Sequence, residues 1–514
     1  MTPSHTPGKA GIIGASQRRH ASEISSDPAP HPAAANPRFA GLTIHFIGIG
    51  GCGMSGLAFM LRQLGANCSG SDYVGSELTE ALESSGIPVR LEQTTGTIPQ
   101  KCDLVIASAA IKPDHPELLA AVNRNITVWT YAEALGQIQA DKTGVSIAGT
   151  HGKSTTTAML AHVLVECGLD PSFIVGATCP QIGGGSRTGS PEIPMGRMRG
   201  RAGILLAEAC EFNRSFHHHR PTIGLINNIE EDHLDIYGSL DEIIAAFAGF
   251  AKLIPAAGDG GRLLISHDSA HRMKVTPGLK CKVETFGFHP EADYQVVYDA
   301  AVSPGGRVGV LQDGVWLGQW TNHMPGAHNA LNSAGAGILA QYLGADWDQI
   351  TTALASFRGV DRRMQKLGKR RVDSGGGGEV TVYDDYGHHP TEIENTLRAL
   401  RTAECPKRLI CVFQPHQHSR TRFLLEQFAQ SFSSADVVIV PHIYFVRDSE
   451  LEKTKVSAAD LVDRLRARGV QAMHLYPFEA IVEQLDAICR PGDLLVIMGA
   501  GPVWKVAKGF LERQ

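Results

Sequence analysis

From Leu42 onward one pattern repeats along the chain: a short apolar run, a glycine-rich turn, then apolar residues returning at helical spacing. LTIHFIGIGGCGMSGLAFMLRQLG is the first instance, and a short strand, NCSGSD around Cys68, leads into further strand and helix units as far as about Gln139. A second block opens with the strand GVSIAGT and a helix beginning at Lys153. It passes through the apolar strands GILLAEA and TIGLINNI and closes near Phe357, after the helical stretch NALNSAGAGILAQYLG. A third runs through TVYDDYG, RLICVFQPH, ADVVIVPHIY, the helix AADLVDRLRARG and the buried strand DLLVIMGAG. Strands alternating with helices in all three blocks predict an α/β protein with parallel sheets flanked by helices. The boundaries predicted are 41–139 for a Rossmann-like first domain, 140–357 for a central domain with a parallel sheet, and 358–514 for a Rossmann-like third. Residues 1–40, rich in Ser, Pro, Ala and His without a hydrophobic period, are expected to form a disordered tail. The SGGGGE stretch from Ser374 to Glu379 reads as a flexible hairpin or loop tip.

Composition narrows the classes. At 514 residues the chain exceeds one compact core, and 43% hydrophobic with 19% charged residues argues against fibrous or largely disordered chains. A net charge of -5 without a Lys/Arg block argues against a sequence-independent grip on nucleic acid or an anionic membrane. No apolar run reaches the roughly 18 residues needed to span a bilayer, and the N-terminus has no hydrophobic signal core, so a cytoplasmic protein without membrane insertion is expected. Ten cysteines without CxxC pairs suit reduced thiols better than disulfides or a zinc site. Small-molecule chemistry is the expectation that remains.

The first strand-to-helix junction carries Gly48-x-Gly50-x-x-Gly53, with Asp72 further on, in the dinucleotide-binding arrangement. Gly50 and Gly53 let backbone approach a pyrophosphate at a helix N-terminus, where free N–H groups and the dipole favour anions. The motif implies a diphosphate and is silent on a nicotinamide; a plain tight turn also satisfies it. The second junction reads Gly149-Thr150-His151-Gly152-Lys153-Ser154-Thr155, a GxxGKS loop in which Ile147 stands where the longer phosphate-loop pattern has its first glycine. Its backbone N–H groups suit an anion nest, Lys153 the β/γ phosphates and the Ser154 hydroxyl Mg²⁺, as in a kinase or NTPase. On an exposed loop Lys153 is expected to serve chemistry without a core contact, so that its loss would spare the fold.

Glu208 ends the strand GILLAEA, and His233 lies in NNIEEDHLD just after TIGLINNI. Strand ends at the C-terminal edge of a parallel sheet are where open α/β folds place ligands, so these two suit a metal ion clamping a phosphoryl group. In the third block DDYGHHP and FQPHQHSR bring Tyr386, His388, His416 and Arg420 to strand ends, a crowd costly to bury unless something polar is bound there. The run His217-His218-His219 reads instead as a solvated loop, since adjacent residues point different ways.

Taken in order, IHFIGIGGCGMSG, SGSD, AGTHGKSTTT, NNIEEDHLD, HNALN, DDYGHHPTE and FQPHQHSRTR resemble the Mur ligase family of cell-wall amide-forming enzymes over about residues 41 to 514. The resemblance implies a UDP-binding first domain, a central ATPase domain and a third that closes over the site. It places Gly48, Gly50, Gly51, Gly53, Met54 and Ser55 along the UDP diphosphate, with Ser71, Asp72 and His151 also facing the sugar nucleotide. It gives ATP to Gly149, Thr150, His151, Gly152, Lys153, Ser154, Thr155, Asn329, Asn332 and Arg363, and Mg²⁺ to Ser154, Glu208 and His233. The amino acid falls to Tyr386, His388, His416 and Arg420, with the Arg420 guanidinium on its carboxylate. Lys153, Glu208, His233, His388 and Arg420 carry the catalysis. The implied reaction is ATP-driven joining of L-alanine to UDP-N-acetylmuramate through an acyl phosphate, by a monomer or homodimer.

Departures from the family pattern are visible: EACEFNRSF stands where EADESDASF is usual, so Cys210 and Asn213 replace acids, and Gln417 stands where a basic residue is common. Ser154 replaces the commoner threonine, and Pro502 of GAGPVW an acid. Three other readings remain open at this point. A recycling ligase of the same family would add a preformed peptide, an NAD-dependent oxidoreductase would leave GTHGKS idle, and a non-catalytic ATP switch would not need the third block's His and Arg.

Overall fold

The computed structural model of the chain describes residues 38–372, 377–446 and 448–513. Most of the expected tail, residues 1–37, and the loop tip 373–376 lie outside the described residues. Arg38 and Phe39, assigned to the tail, belong to the folded body: Phe39 is 1% exposed in the first sheet's core, and Arg38 donates to the Gln137 carbonyl at 3.2 Å.

The first sheet orders its five strands Val89–Arg90, Asn67–Ser71, Thr43–Ile47, Leu104–Ala107 and Thr127–Thr130, all parallel. Sequence order 3-2-1-4-5 reverses beside the first strand, which puts the glycine-rich turn at the crevice where such sheets bind ligands. Helix Cys52–Gln63 buries Leu57, Ala58 and Leu61 against this sheet. Helix Tyr131–Gln139 starts from a capping box between Thr130 and Glu133, which satisfies N–H groups that the helix itself cannot.

The central sheet is parallel through its middle, as expected, and mixed at its edges. Seven strands, 294–299, 282–287, 262–266, 223–226, 143–148, 204–208 and 172–174, run parallel, and antiparallel strands extend both edges. At one edge Arg307–Gln312 turns back as Val315–Thr321 through Asp313-Gly314, both at positive φ (51° and 77°), the Asp-Gly pair that two-residue hairpins favour. Helix Lys153–Glu166 packs against helix Ala327–Tyr342 and is buried nearly all round, including its threonines. Those hydroxyls find partners inside: Thr157 donates to the Lys153 carbonyl at 2.8 Å and Thr156 to Asn332 Oδ1 at 3.2 Å.

The third sheet orders Gln365–Val372, Gly378–Asp385, Leu494–Met498, Leu409–Phe413, Val437–Val440 and Gln471–His474, antiparallel only between the first two. The ends of Gly378–Asp385 and Leu409–Phe413 deliver DDYGHHP and FQPHQHSR to one edge.

The histidine run is not a solvated loop. His219 is 2% exposed, pairs through Nδ1 with Ser146 Oγ at 2.9 Å, and has its pKa pushed down to about 4 by burial. His217 stacks on Phe216 and reaches the Ala246 carbonyl at 2.8 Å. Helix Tyr131–Gln139 covers this segment: a Cβ on Gly136 would lie 2.0 Å from the His218 carbonyl oxygen. Among the described residues no helix is long and apolar enough to cross a membrane.

Candidate active site

The phosphate loop sits between the end of strand Thr143–Ala148 and helix Lys153–Glu166. Gly152 adopts φ 79°, and a Cβ there would lie 2.5 Å from Asn332 Oδ1, so the position is closed to side chains on two counts. Two cavities share this loop. One, of 450 Å³, is lined by Lys153, Ser154, Glu208 and His233 and by Tyr386 and His388 from the third block. The other, of 670 Å³, holds Asn329 and Asn332; His151, Gly152, Thr155 and Arg363 line both.

Most of the residues singled out from the sequence therefore converge. Ser154 Oγ donates to Glu208 Oε2 at 3.0 Å, a hydroxyl and carboxylate pair suited to a hard cation. His233 stands apart from that pair, grouped with Glu211 and Asp232. Tyr386 has two guanidiniums against its ring, Arg362 at 5.0 Å and Arg363 at 4.8 Å from its centre. His388 and His416 are edge to face at 5.8 Å.

Lys153 is less free than an exposed loop residue. Its ammonium donates to the carbonyls of Gly149 (2.6 Å) and Thr150 (3.0 Å) and to the Glu211 carboxylate at 2.9 Å, with only 16% of the side chain exposed. Burial works to lower its pKa, and the Glu211 charge outweighs that and raises it. Arg420 also has a carboxylate: Nε and one terminal nitrogen donate to Asp232 Oδ1 at 3.0 and 2.9 Å, and both residues are buried. Burial alone would raise the Asp232 pKa, but the guanidinium holds it below the usual range.

At the glycine-rich turn of the first block, the Gly50 N–H donates to Asp72 Oδ2 at 2.8 Å instead of facing open space. A Cβ on Gly50 would lie 2.9 Å from that oxygen, and one on Gly53 3.0 Å from the Tyr131 ring, so packing within the protein is already tight at both glycines. Helix Cys52–Gln63 has no side-chain cap, which leaves N–H groups of its first turn available to an anion. Ser71, through its carbonyl, holds the Gly48 and Ile49 N–H groups at 2.9 and 3.0 Å.

Three sequence profiles match in order: "Mur ligase family, catalytic domain" over residues 43–143, "Mur ligase middle domain" over 147–340, and "Mur ligase, glutamate ligase domain" over 362–501. The UDP-N-acetylmuramate–L-alanine ligase of Desulfitobacterium hafniense (strain Y51) is 36% identical over 472 residues, 91% of this chain and 99% of that one. The chain belongs to the Mur ligase family. The ligase of the same name from Clostridium novyi (strain NT) is 39% identical over 472 residues, 91% of this Mur ligase and 97% of its relative. Among solved structures, the UDP-N-acetylmuramate-alanine ligase of Thermotoga maritima superposes with a TM-score of 0.73 at 26% identity, covering 92% of this chain and 99% of its own. A murein peptide ligase of Psychrobacter arcticus gives 0.68 at 23%, covering 92% and 98%, a likeness of fold alone.

Several acids at the heart of this Mur ligase went unselected in the sequence reading. Asp385 accepts from the Met364 and Gly387 N–H groups at 2.7 and 2.6 Å, and burial pushes its pKa up to about 6 against the pull of Arg363. Glu230 and Glu392 flank His151, at 3.4 Å from Nε2 and 3.3 Å from Nδ1 respectively. All three lie inside motifs already quoted, NNIEEDHLD and DDYGHHPTE. Glu392, three residues past the cap position His389 and after Pro390, carried a capping-box signal. Two of the family departures also find a place: Cys210, which is exposed, lines the 450 Å³ cavity. Asn213 takes φ 50°, a left-handed conformation that asparagine tolerates well.

His151 sets a pH dependence. Burial lowers its pKa, but Glu230 and Glu392 overcome that and raise it to about 9 from the ordinary 6.5. A raised pKa contributes stability that is complete below about 6.5 and is lost as pH rises through about 9. The melting temperature should therefore fall between pH 6.5 and 9.5 more in the wild type than in His151→Asn. Parallel profiles would remove His151 as the source.

Proposed function

We infer that this Mur ligase joins L-alanine to the lactyl carboxylate of UDP-N-acetylmuramate at the expense of ATP, in peptidoglycan precursor synthesis and in the cytoplasm. Its curated relatives carry that name across nearly their full length, which sets the peptide-recycling alternative aside. The observation that carries the chemistry is the convergence of Lys153, Ser154, Glu208 and His233 with Tyr386, His388 and Arg363 on one 450 Å³ cavity.

In this reading the lactyl carboxylate attacks the γ-phosphorus of ATP, ADP leaves, and the amine of L-alanine displaces phosphate from the acyl phosphate. A carboxylate nucleophile needs no strong base, so the protein's work is positioning and charge neutralisation. Lys153 exchanges Glu211 for the β/γ phosphates, Asn329 and Asn332 flank the adenine, and Arg363 adds charge from the third block. Ser154 and Glu208 hold Mg²⁺, which supplies Lewis-acid neutralisation of phosphate oxygens, and His233 approaches from the side of Asp232. The uncapped start of helix Cys52–Gln63 receives the UDP diphosphate. His388 is kept neutral by burial, its pKa down to about 3, and Nδ1 lies 3.2 Å from the Tyr386 carbonyl. With the ring proton on Nδ1, Nε2 keeps a lone pair for the incoming ammonium. Domain limits of 41–139, 140–357 and 358–514 assign UDP, ATP and amino acid in turn.

The test is phosphate release with ATP, UDP-N-acetylmuramate and a panel of amino acids. L-Alanine should stimulate it most. Glycine, lacking one methyl worth about 1–3 kcal/mol, should be a poor but measurable substrate, and D-alanine and large side chains should fail. Strong preference for a large or acidic amino acid, or release that ignores the amino acid, would overturn the reading.

A further inference from the structure

Glu392 stands at the first turn of helix Pro390–Glu404, where a carboxylate has an ordinary structural role. One oxygen performs it: Oε2 accepts from the His388 N–H at 2.9 Å and the His389 N–H at 3.3 Å. The other is not needed for the cap. Oε1 crosses to the central block and meets His151 Nδ1, within the phosphate loop, at 3.3 Å.

Oε2 also lies 3.4 Å from His388 Nδ1, so the same carboxylate fixes the backbone and the ring of a residue that faces the 450 Å³ cavity. Around it the two blocks are joined by three further contacts. His389 Nε2 meets the Glu231 carbonyl at 2.9 Å, Thr391 Oγ1 donates to Glu230 Oε2 at 2.6 Å, and the His151 and His389 rings lie 4.5 Å apart. Glu392 is the member of this seam that touches both the phosphate loop and the His388 ring. A capping carboxylate on a surface helix would face water; this one is enclosed, with 16% of its side chain exposed.

We propose that Glu392 is a positioning residue that couples the phosphate loop to the acceptor-amine side: its two oxygens hold His151 and His388 in one register, so that His388 is placed for the amine only while the loop is docked. The proposal rests on the ligase reading given above. It gives a role to the charge at this position that capping alone leaves unused. Glu392 also lines the 670 Å³ cavity beside Asn329 and Asn332, so part of its effect reaches the nucleotide side, whereas use of the third substrate depends on both of its oxygens.

The experiment compares Glu392→Ala, Glu392→Gln and His151→Asn in the full chain. For Glu392→Ala the KM for L-alanine should rise about tenfold or more and kcat should fall. Equilibrium binding of UDP-N-acetylmuramate, and of a non-hydrolysable ATP analogue, should weaken by a smaller factor than the one by which the KM for L-alanine rises. Glu392→Gln keeps an acceptor for the cap and loses the charge that pairs with His151, so its melting temperature should fall no further than that of His151→Asn while the KM for L-alanine still rises. In the double variant Glu392→Gln/His151→Asn the two penalties should not multiply, because they break the same link. A lowered melting temperature in Glu392→Ala with an unchanged KM for L-alanine, a Glu392→Gln enzyme kinetically equal to wild type, or multiplicative penalties would overturn the coupling. The wild-type control separates the two levels: if L-alanine fails to stimulate phosphate release from the unaltered enzyme, the ligase reading itself has failed, whatever the variants do.

Discussion

Replacing Lys153 with alanine should lower phosphate release about a thousandfold and also lower the melting temperature. The expected loss of rate follows from deleting the cation that the proposed function sets against the transferred phosphoryl group, where one fixed charge carries several kcal/mol of barrier. The loss of stability follows from Glu211, which is 3% exposed and has Lys153 as its ion-pair partner at 2.9 Å. Removing one member of a buried pair leaves the other charge uncompensated, at a cost of about 3–5 kcal/mol. The double variant Lys153→Ala/Glu211→Gln should therefore regain most of the melting temperature and remain inactive. Turnover within tenfold of wild type in either variant would remove Lys153 from the chemistry. An unchanged melting temperature in the single variant would remove Glu211 as its structural partner.

Arg420→Ala should have the second-largest effect, and the structure changes its expected form. As a residue waiting for the amino acid's carboxylate, Arg420 would affect the KM for L-alanine and little else. It is instead 7% exposed and bound to Asp232, which is equally buried, so the pair ties the third block to the central one. The single variant should lose stability, again by about 3–5 kcal/mol, together with turnover. Adding Asp232→Asn should restore stability, because the uncompensated charge is gone. If Arg420 also receives the amino acid through the nitrogen that reaches toward His416 at 3.4 Å, the stabilised double variant should keep a raised KM for L-alanine. A wild-type KM in that variant would confine Arg420 to holding the two blocks together.

Both revisions have one cause. Lys153 and Arg420 were legible as candidate site residues because a cation after a glycine-rich turn, or in a cluster at a strand end, is costly without an anion to meet. Which anion was not legible. Glu211 lies 58 residues from Lys153, and Asp232 lies 188 from Arg420. Neither spacing leaves a periodic trace, and pairing across that distance follows from how whole sheets pack. The same holds for Gly50, whose place in the fingerprint suggested a ligand while its N–H serves Asp72.

Local patterns fixed what depends on neighbours in sequence: the alternation that makes an α/β protein, the three glycine-bearing strand ends, and the order of the motifs that marks a Mur ligase. These follow from backbone sterics, hydrophobic period and N–H groups at helix starts, all of which act within a few residues. The histidine run shows the limit, since its solvated reading rested on adjacent side chains diverging. The fold buries His219 beneath helix Tyr131–Gln139 against Ser146 and packs the half-buried His217 on Phe216 and helix Leu240–Ala251. Only the tertiary structure decided where each buried charge is neutralised, because in a low-dielectric interior that depends on which distant carboxylate or guanidinium the packing brings within about 3 Å. It thereby placed His151 between Glu230 and Glu392, at the seam where the phosphate loop meets the third block.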